Sequence, residues 1–340
     1  MQYVKWRIFK LKWFIIYFIY IQLINLQAVI KYFIFIFILF STCVNAQFRF
    51  KAIDINDGLS QNSVQAVIKD TEGFYWIGTQ DGLNCFDGKE FDVYRQNNTT
   101  NSLTDNFITC LVEDDFGNIW IGTRHCLNRY NKKTKLFTKI GTKEFGGIYE
   151  GHNDIKNLQK DLYGNIVYIC AGYNLKINKT ELNNSIPKID TLNYRLISEE
   201  NDIKYIIEEN IYYKIHQNKK KKLYTLNNLC YPIVDRIDSI TYISLCGNLF
   251  ALNETKNELN PIHHQIIPKN SITSLKKFSN NKLLIGTTSG LYILTPLEIK
   301  KVKSGDENYL LKSDVVVSIS ITSDSVLWVG TAGHGVLQLN

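Results

Sequence analysis

The chain holds 340 residues, 45% of them apolar and 21% charged, with Tyr, Phe and Ile abundant and only five prolines. That composition excludes a disordered chain and leans toward strands, and the length allows two ordinary domains or one large repetitive one. The net charge of +7 misleads: Lys5, Arg7, Lys10, Lys12 and Lys31 lie within residues 1–46, which hold no acid, so the remainder carries +2 and lacks the basic excess of a nucleic-acid-binding body.

The first element is a targeting segment. Lys31 precedes the nine-residue apolar run YFIFIFILF, and STCVNA then places Val44 and Ala46 at the −3 and −1 positions of a small-residue cleavage site before Gln47. Residues 13–30 are also apolar, so the segment is longer than an ordinary signal peptide. A signal peptide with an extended start is the first reading, an uncleaved inner-membrane anchor the second, and a lipoprotein built on Cys43 the third, FSTC being a poor lipobox. All three export the body and make it periplasmic. Residues 1–46 are thus expected to be a signal peptide or N-terminal membrane segment and 47–340 the folded body. No apolar run in that body approaches the about 18–20 residues of a membrane helix.

The body repeats itself. DTEGFYWIGTQDGLNCFDGKEF begins at Asp70 and DDFGNIWIGTRHCLNRYNKKTKLF at Asp114. Anchored on Trp76, the equivalents are Trp120, Tyr168, Tyr205, Tyr242, Leu284 and Trp328, at spacings of 44, 48, 37, 37, 42 and 44 residues. The average period of 42 suits four short strands, the size of a β-propeller blade. In unit one, 63–70 reads as inner strand A and Asp70–Gly73 as a type I turn with Asp first and Gly last. Then come strand B over 74–79, a loop at Gln80–Asp81, strand C over 82–87, a hairpin turn at Asp87–Gly88 and outer strand D over 90–96. Unit two repeats the first turn as Asp114–Gly117 and unit three as Asp161–Gly164. Strands A and B are almost continuously apolar, which predicts burial on both faces between neighbouring blades.

Units four and five lose both the Asp-x-x-Gly turn and the Gly-Thr after the aromatic residue. In unit four Lys219–Lys222 reads as the solvated tip of the C–D hairpin. In unit five His263 and His264 are adjacent in a strand D and point to opposite faces. Unit seven stops at its strand C, whereas FRFKAIDINDGLS, before unit one, parallels a strand D and its crossover. The N-terminal strand is therefore predicted to complete the last blade and hide its edge. Within it, DINDG at 54–58 lacks the spacing of a calcium loop and reads as a crossover turn. The expected fold is all-β: a single seven-bladed β-propeller of four-stranded antiparallel blades, the ring closed by the N-terminal strand. Cys85, Cys110, Cys126, Cys170, Cys230 and Cys246 form no C-x-x-C pair and mostly sit in apolar runs, so they read as buried thiols, although export permits a disulfide.

LSQNSVQAVIKDTEGFYWIGTQDGL and LTDNFITCLVEDDFGNIWIGTRHCL resemble the two-component regulator propeller repeat, the second departing at Cys126, where the pattern expects Gly. LLIGTTSGLYIL and LWVGTAGHGVLQL match it in units six and seven; units four and five match weakly. The resemblance implies the periplasmic sensor of a hybrid sensor kinase, in which two propellers typically precede a β-sandwich, a membrane helix, a kinase and often a DNA-binding regulator, with carbohydrate fragments as frequent inducers. This chain ends after one ring, so signalling is expected to need a sensor kinase or second propeller module as partner, and the chain reads as a free-standing binding module or a truncated or split receptor.

Catalytic and cofactor motifs are missing: there is no G-x-S-x-G, H-E-x-x-H, P-loop or G-x-G-x-x-G. No metal, cofactor or nucleic acid is expected, and contact with a membrane only through the N-terminal segment. Trp76, Trp120 and Trp328, tempting as sugar platforms, recur at one strand position and are assigned to inter-blade packing. In a propeller the B–C loops and D–A crossovers gather on one face. The candidate contacts for a small-molecule or oligosaccharide ligand are therefore Gln61, Asn62, Gln80, Asp81, Asn106, Arg124, His125, His152, Asn153 and His334. The expected function is ligand or partner recognition for signal transduction; the alternative is a propeller-scaffold lyase or carbohydrate-active enzyme using His125, His152 and His334.

Overall fold

In the computed structural model of the protein the described residues are Lys31 and 50–340, apart from 141–153, 185–186, 201–202, 227–231, 238–239, 257, 263–265, 280, 303–314 and 340. The chain divides into two units, Met1–Gln47 and Phe48–Asn340. The expected targeting segment in the first lies outside the described residues, as do His263 and His264. Among the described residues no helix is long and apolar enough to cross a membrane.

Phe48–Asn340 is a seven-bladed β-propeller: seven four-stranded antiparallel sheets follow one another along the chain. Blade one consists of Val64–Lys69, Tyr75–Thr79, Gly82–Phe86 and Phe91–Tyr94, strands A to D. The degenerate units are complete blades, the fourth beginning with strand A at Arg195–Glu200 and the fifth at Ile233–Ile237. Blade seven takes Val316–Ile321, Leu327–Thr331 and Val336–Leu339 from the C-terminal end and Lys51–Ile53 as its strand D. Lys51 pairs with Gln338, Ala52 with Leu337 and Ile53 with Val336. DINDG is the crossover turn that follows, a short 3₁₀ turn at Ile55–Asp57 capped by Asp54, with Gly58 at φ +108°.

The Trp-Ile-Gly-Thr phrase is a packing unit. Trp76 packs with Ile108, Leu111, Ile119 and Ile121 of blade two, Trp120 with Ile155, Leu158 and Tyr168 of blade three, and Trp328 with Val64, Val67 and Ile77 of blade one. Each indole thus fills the gap to the next blade, which is the assigned role. The Gly that follows lets the next strand A approach. A Cβ on Gly78 would lie 2.5 Å from Ile108, and one on Gly330 would lie 2.5 Å from the Val64 carbonyl oxygen. Opposite these glycines strand A carries a β-bulge, between Val64 and Ala66, Ile108 and Cys110, Ile272 and Ser274, and Val316 and Ser318.

Strand A departs from the expected double burial. In blades one, two and seven it buries only every third residue, whereas strand B is buried throughout in blades two and seven. The innermost strand borders the centre of the ring, and its polar side chains are spent there on the neighbouring blade. Thr109 Oγ1 donates to the Ile155 carbonyl at 2.7 Å, Asn157 Nδ2 to that of Leu196 at 3.0 Å, and Ser318 Oγ to that of Val64 at 3.3 Å.

Blade four corrects the lysine run. Its C–D turn is Gln217–Asn218, at φ +49° and +60°, and Lys219–Lys222 lie within strand D, Lys219–Thr225. Two successive positive φ values make the two-residue turn a right-twisted hairpin needs; Gln is an unusual residue for it, which hid the turn. Lysines on this outermost strand discourage pairing with a foreign edge.

The cysteines divide. Cys85, Cys110, Cys126 and Cys170 are free thiols, and burial pushes the first up to about 12 and Cys110 and Cys170 up to about 11. Cys246 is disulfide-bonded, against the buried-thiol reading, and Cys230 lies outside the described residues.

Candidate functional site

The B–C loops and D–A crossovers are welded into one face by backbone hydrogen bonds. Three loops lean on their own blade's crossover: Gln80 N–H donates to the Ser63 carbonyl at 3.2 Å, Thr288 to Ser271 at 2.9 Å and Ala332 to Val315 at 3.0 Å. The next crossover is tied in as well, Gly82 N–H donating to Asn106 at 2.8 Å and Gly335 to Asn62 at 2.9 Å. The threonine of Gly-Thr fixes each loop from inside. Thr79 Oγ1 donates to the Gly82 carbonyl at 3.0 Å and accepts the Asp81 N–H at 3.0 Å. Thr123, Thr287 and Thr331 do the same for their loops.

On this frame the candidate residues separate into scaffolding and exposed positions. Asn62 accepts the Ile55 N–H at 3.0 Å, and Gln61 caps the Ser63 N–H. Asp81 binds Arg95 Nε at 3.1 Å and Asn106 Nδ2 at 3.2 Å, while Asn106 Oδ1 accepts the Gln96 N–H at 2.6 Å. The fold therefore brings Asp81, Asn106 and Arg95 together as a cluster between blades one and two. Gln80, Arg124, His125 and His334 are exposed. Arg124 and His125 stand on the B–C loop of blade two and His334 on that of blade seven, with blade one between them. His152 and Asn153 lie outside the described residues. Among the described residues no group of His, Cys, Asp and Glu is arranged to hold a metal ion.

Two positions missed in the sequence shape this face. Asn84 and Asn128, fully buried, hold the D–A crossovers: Asn84 Oδ1 accepts the Ser60 N–H at 2.8 Å, and Asn128 Oδ1 that of Thr104 at 3.1 Å. Their signal was present in units one and two, a Leu-Asn pair partnered by the Leu-Ser or Leu-Thr upstream. A cavity of about 710 Å³ beside the B–C turn of blade five was also missed. Leu249, Phe250, Ile262, Ile267 and Pro268 line it, and the reciprocal pair Asn248–Asn270 closes one wall. Blade five lacks the Asp-x-x-Gly turn and the Gly-Thr of the repeat, so the motif did not mark the place.

The A–B turns carry a second set of ionic groups. Burial pushes the Asp70 carboxyl up, but hydrogen bonds from the Trp76 indole (2.8 Å) and from Lys132 (3.0 Å) outweigh it and hold it below the ordinary carboxylate range. Asp115 is held at about 2 by Lys160 and Lys179. These groups join blades and face away from the loops described above.

Residues 58–81 and 102–125 match the profile of the two-component regulator propeller, the two stretches in which the repeat is clearest. Over 53 residues the chain is 51% identical to histidine kinase P4 of Formosa agariphila, a stretch that is 16% of this chain and 4% of that protein. The extracellular domain of the hybrid two-component system BT3049 of B. thetaiotaomicron superposes with a TM-score of 0.67 at 22% identity, over 86% of this chain and 42% of that one. The corresponding domain of BT4673 gives 0.64 at 20%, over 87% and 43%. Virginiamycin B lyase of Staphylococcus aureus gives 0.63 at 10%, over 86% and 99%. The chain thus resembles the extracellular propellers of hybrid two-component systems and spans less than half the length of those two domains; at these identities the likeness is one of fold.

Proposed function

We propose that this protein is an exported sensor-type propeller that recognises a ligand, or a partner protein, through the face formed by its B–C loops and D–A crossovers, and that it serves signal transduction with a kinase as partner rather than catalysing a reaction. Residues 1–46 act as the export segment or membrane anchor and 47–340 as the recognising body. One observation carries the reading. The loops share one internal scaffold, the Thr hydroxyl that ties each loop to itself, yet differ in the residues at their tips: Gln80–Asp81, Arg124–His125, Thr288–Ser289 and Ala332–His334. A fixed frame with variable tips is how a repeat fold builds a recognition surface. The propeller lyases share the fold, and His125 and His334 lie on the same face.

The test is thermal melting of the full chain against a panel of neutral and acidic oligosaccharides, since a ligand that binds only the folded state raises its stability in proportion to the logarithm of its concentration. A rise in Tm with an oligosaccharide recovered intact after overnight incubation supports recognition. Turnover of that oligosaccharide would favour the lyase, and the absence of any shift across the panel would sink oligosaccharide sensing.

A further inference from the structure

We propose that Arg124 is an anion-recognising residue of this face, and that the ligand is a hydroxyl-rich oligosaccharide carrying an acidic group, a carboxylate or a sulfate ester. This rests on the reading of the loop face as a recognition surface and specifies the chemistry it takes.

Five arginines are described, and four are spent internally. Arg95 pairs with Asp81. Arg129 donates to the Leu182 and Asn184 carbonyls. Arg195 donates to the Pro232 carbonyl and Arg236 faces Glu254. Arg124 is different. Its side chain is exposed, and its guanidinium carbon lies 3.5 Å from the centroid of the Phe107 ring. Among the described residues no carboxylate pairs with it and no acceptor binds it. Asp105, the acid next to that ring in sequence, turns its carboxylate to the Phe107 N–H at 3.1 Å. Stacking occupies the flat face of a guanidinium and leaves the N–H donors on its edge, the geometry that grips a carboxylate or sulfate by two parallel bonds.

The group is also held in place before any ligand arrives. Thr123 Oγ1 accepts the His125 and Cys126 N–H groups at 3.2 and 3.0 Å and donates to the Cys126 carbonyl at 2.8 Å, so the loop is rigid on both sides of Arg124. A cation fixed by its loop and by an aromatic ring loses little freedom on binding. Its isolation is a feature of the sequence: the other six B–C loops carry Gln80–Asp81, Ala171–Gly172, Glu209–Asn210, Cys246–Gly247, Thr288–Ser289 and Ala332–His334, without a Lys or Arg among them. Amides and hydroxyls suit sugar hydroxyls; one fixed cation asks for one acid.

The experiment is calorimetric titration of the full chain with three tetrasaccharides, a galacturonate tetramer, a sulfated galactose tetramer and neutral galactotetraose. Binding of one acidic tetramer at least tenfold tighter than the neutral one, weakened by added salt, is expected, and the tighter of the two acidic arms identifies the group. Arg124→Ala should erase that advantage, Arg124→Lys restore part of it, and Phe107→Leu, which loosens the guanidinium without removing it, fall between. Equal thermal melting of the variants excludes a folding defect. Neutral and acidic tetramers bound alike, or Arg124→Ala binding as the parent does, would overturn the assignment to Arg124 and leave recognition by the face standing. If none of the three binds, the acidic-oligosaccharide assignment falls, and oligosaccharide sensing is then decided by the melting panel.

Discussion

Trp120 and Trp328 occupy the same place in their blades and are both fully buried, but only one indole is satisfied. Trp120 donates to Asp114 at 2.7 Å, and Asp114 also accepts the Phe116 and Asn118 N–H groups, each at 2.9 Å. The Asp that opens the Asp-x-x-Gly turn therefore does two jobs, capping the turn and taking the indole N–H. The sequence marked the first job; the second was hidden because it joins residues six apart through a side chain on each. In blade seven Thr322 stands in that place, bonds Asp324 and the Val326 carbonyl, and leaves Trp328 Nε1 without a partner among the described residues. A buried donor left unpaired costs about 1–3 kcal/mol. Thr322→Asn, which offers an amide oxygen at the same place, should raise stability by about 1 kcal/mol in urea unfolding with an unchanged denaturant slope. A loss of similar size would show that Asn cannot reach the indole.

Neighbouring blades are clamped by ion pairs at the A–B turns, and here the degenerate units prove ordered. Lys132, just after strand C of blade two, reaches Asp70 of blade one at 3.0 Å and its own Glu113 at 2.9 Å. Glu254 holds the same place after strand C of blade five, with the charge inverted. It takes Lys214 of blade four at 2.9 Å, the Tyr205 hydroxyl at 3.1 Å and Arg236 of its own blade at 3.7 Å. At the ring's seam Asp324 binds Lys69 at 2.6 Å and the Tyr75 hydroxyl at 2.8 Å. Repeat comparison located these blades by period and aromatic anchor, but it could not see a clamp whose acid and base had exchanged blades.

The clamps set an acid limit. Burial alone would raise Asp70, Asp324 and Glu254, and their basic and hydroxyl partners outweigh it, so all three lie below their ordinary values, while Asp115 is held at about 2. A carboxyl depressed on folding contributes its full stability above its unfolded pKa, about 4, and loses it as pH falls through the folded value. Melting temperature should therefore hold from pH 7 to about pH 5 and drop between about pH 4 and pH 2. A flat profile across that acid range would mean that the clamps add nothing.

Across the whole molecule the architecture was legible because a period of about 42 residues with turn signals admits few alternatives, and because FRFKAI had no partner except the open edge of the last unit. The loop face was legible only as a set of loops. Which side chains are free of it depends on partners distant in sequence, as with Asp81, drawn off by Arg95 and Asn106, and Arg124, left to Phe107. Closure itself rests on little: Lys51–Ile53 is three residues long. Deleting residues 50–53 bares Val336–Leu339, and an unpaired edge seeks another chain. The shortened protein should melt lower than its parent and elute as higher oligomers in size exclusion; a monomer of unchanged Tm would contradict the role of this strand.

That pairing also fixes an order in time. Lys51 and Gln338 lie near opposite ends of the body, so the ring can be sealed only after nearly all of it has been made. Six blades can assemble from local hairpins as their segments arrive, since each sheet is contiguous in the chain. The seventh must bear the entropy of closing the longest loop in the molecule, which grows slowly with length but comes due in one step. The strand synthesised first is the one that docks last. Until then the chain exists as an arc with two sticky ends, and that interval is when it is most exposed to proteases, to chaperones and to other copies of itself.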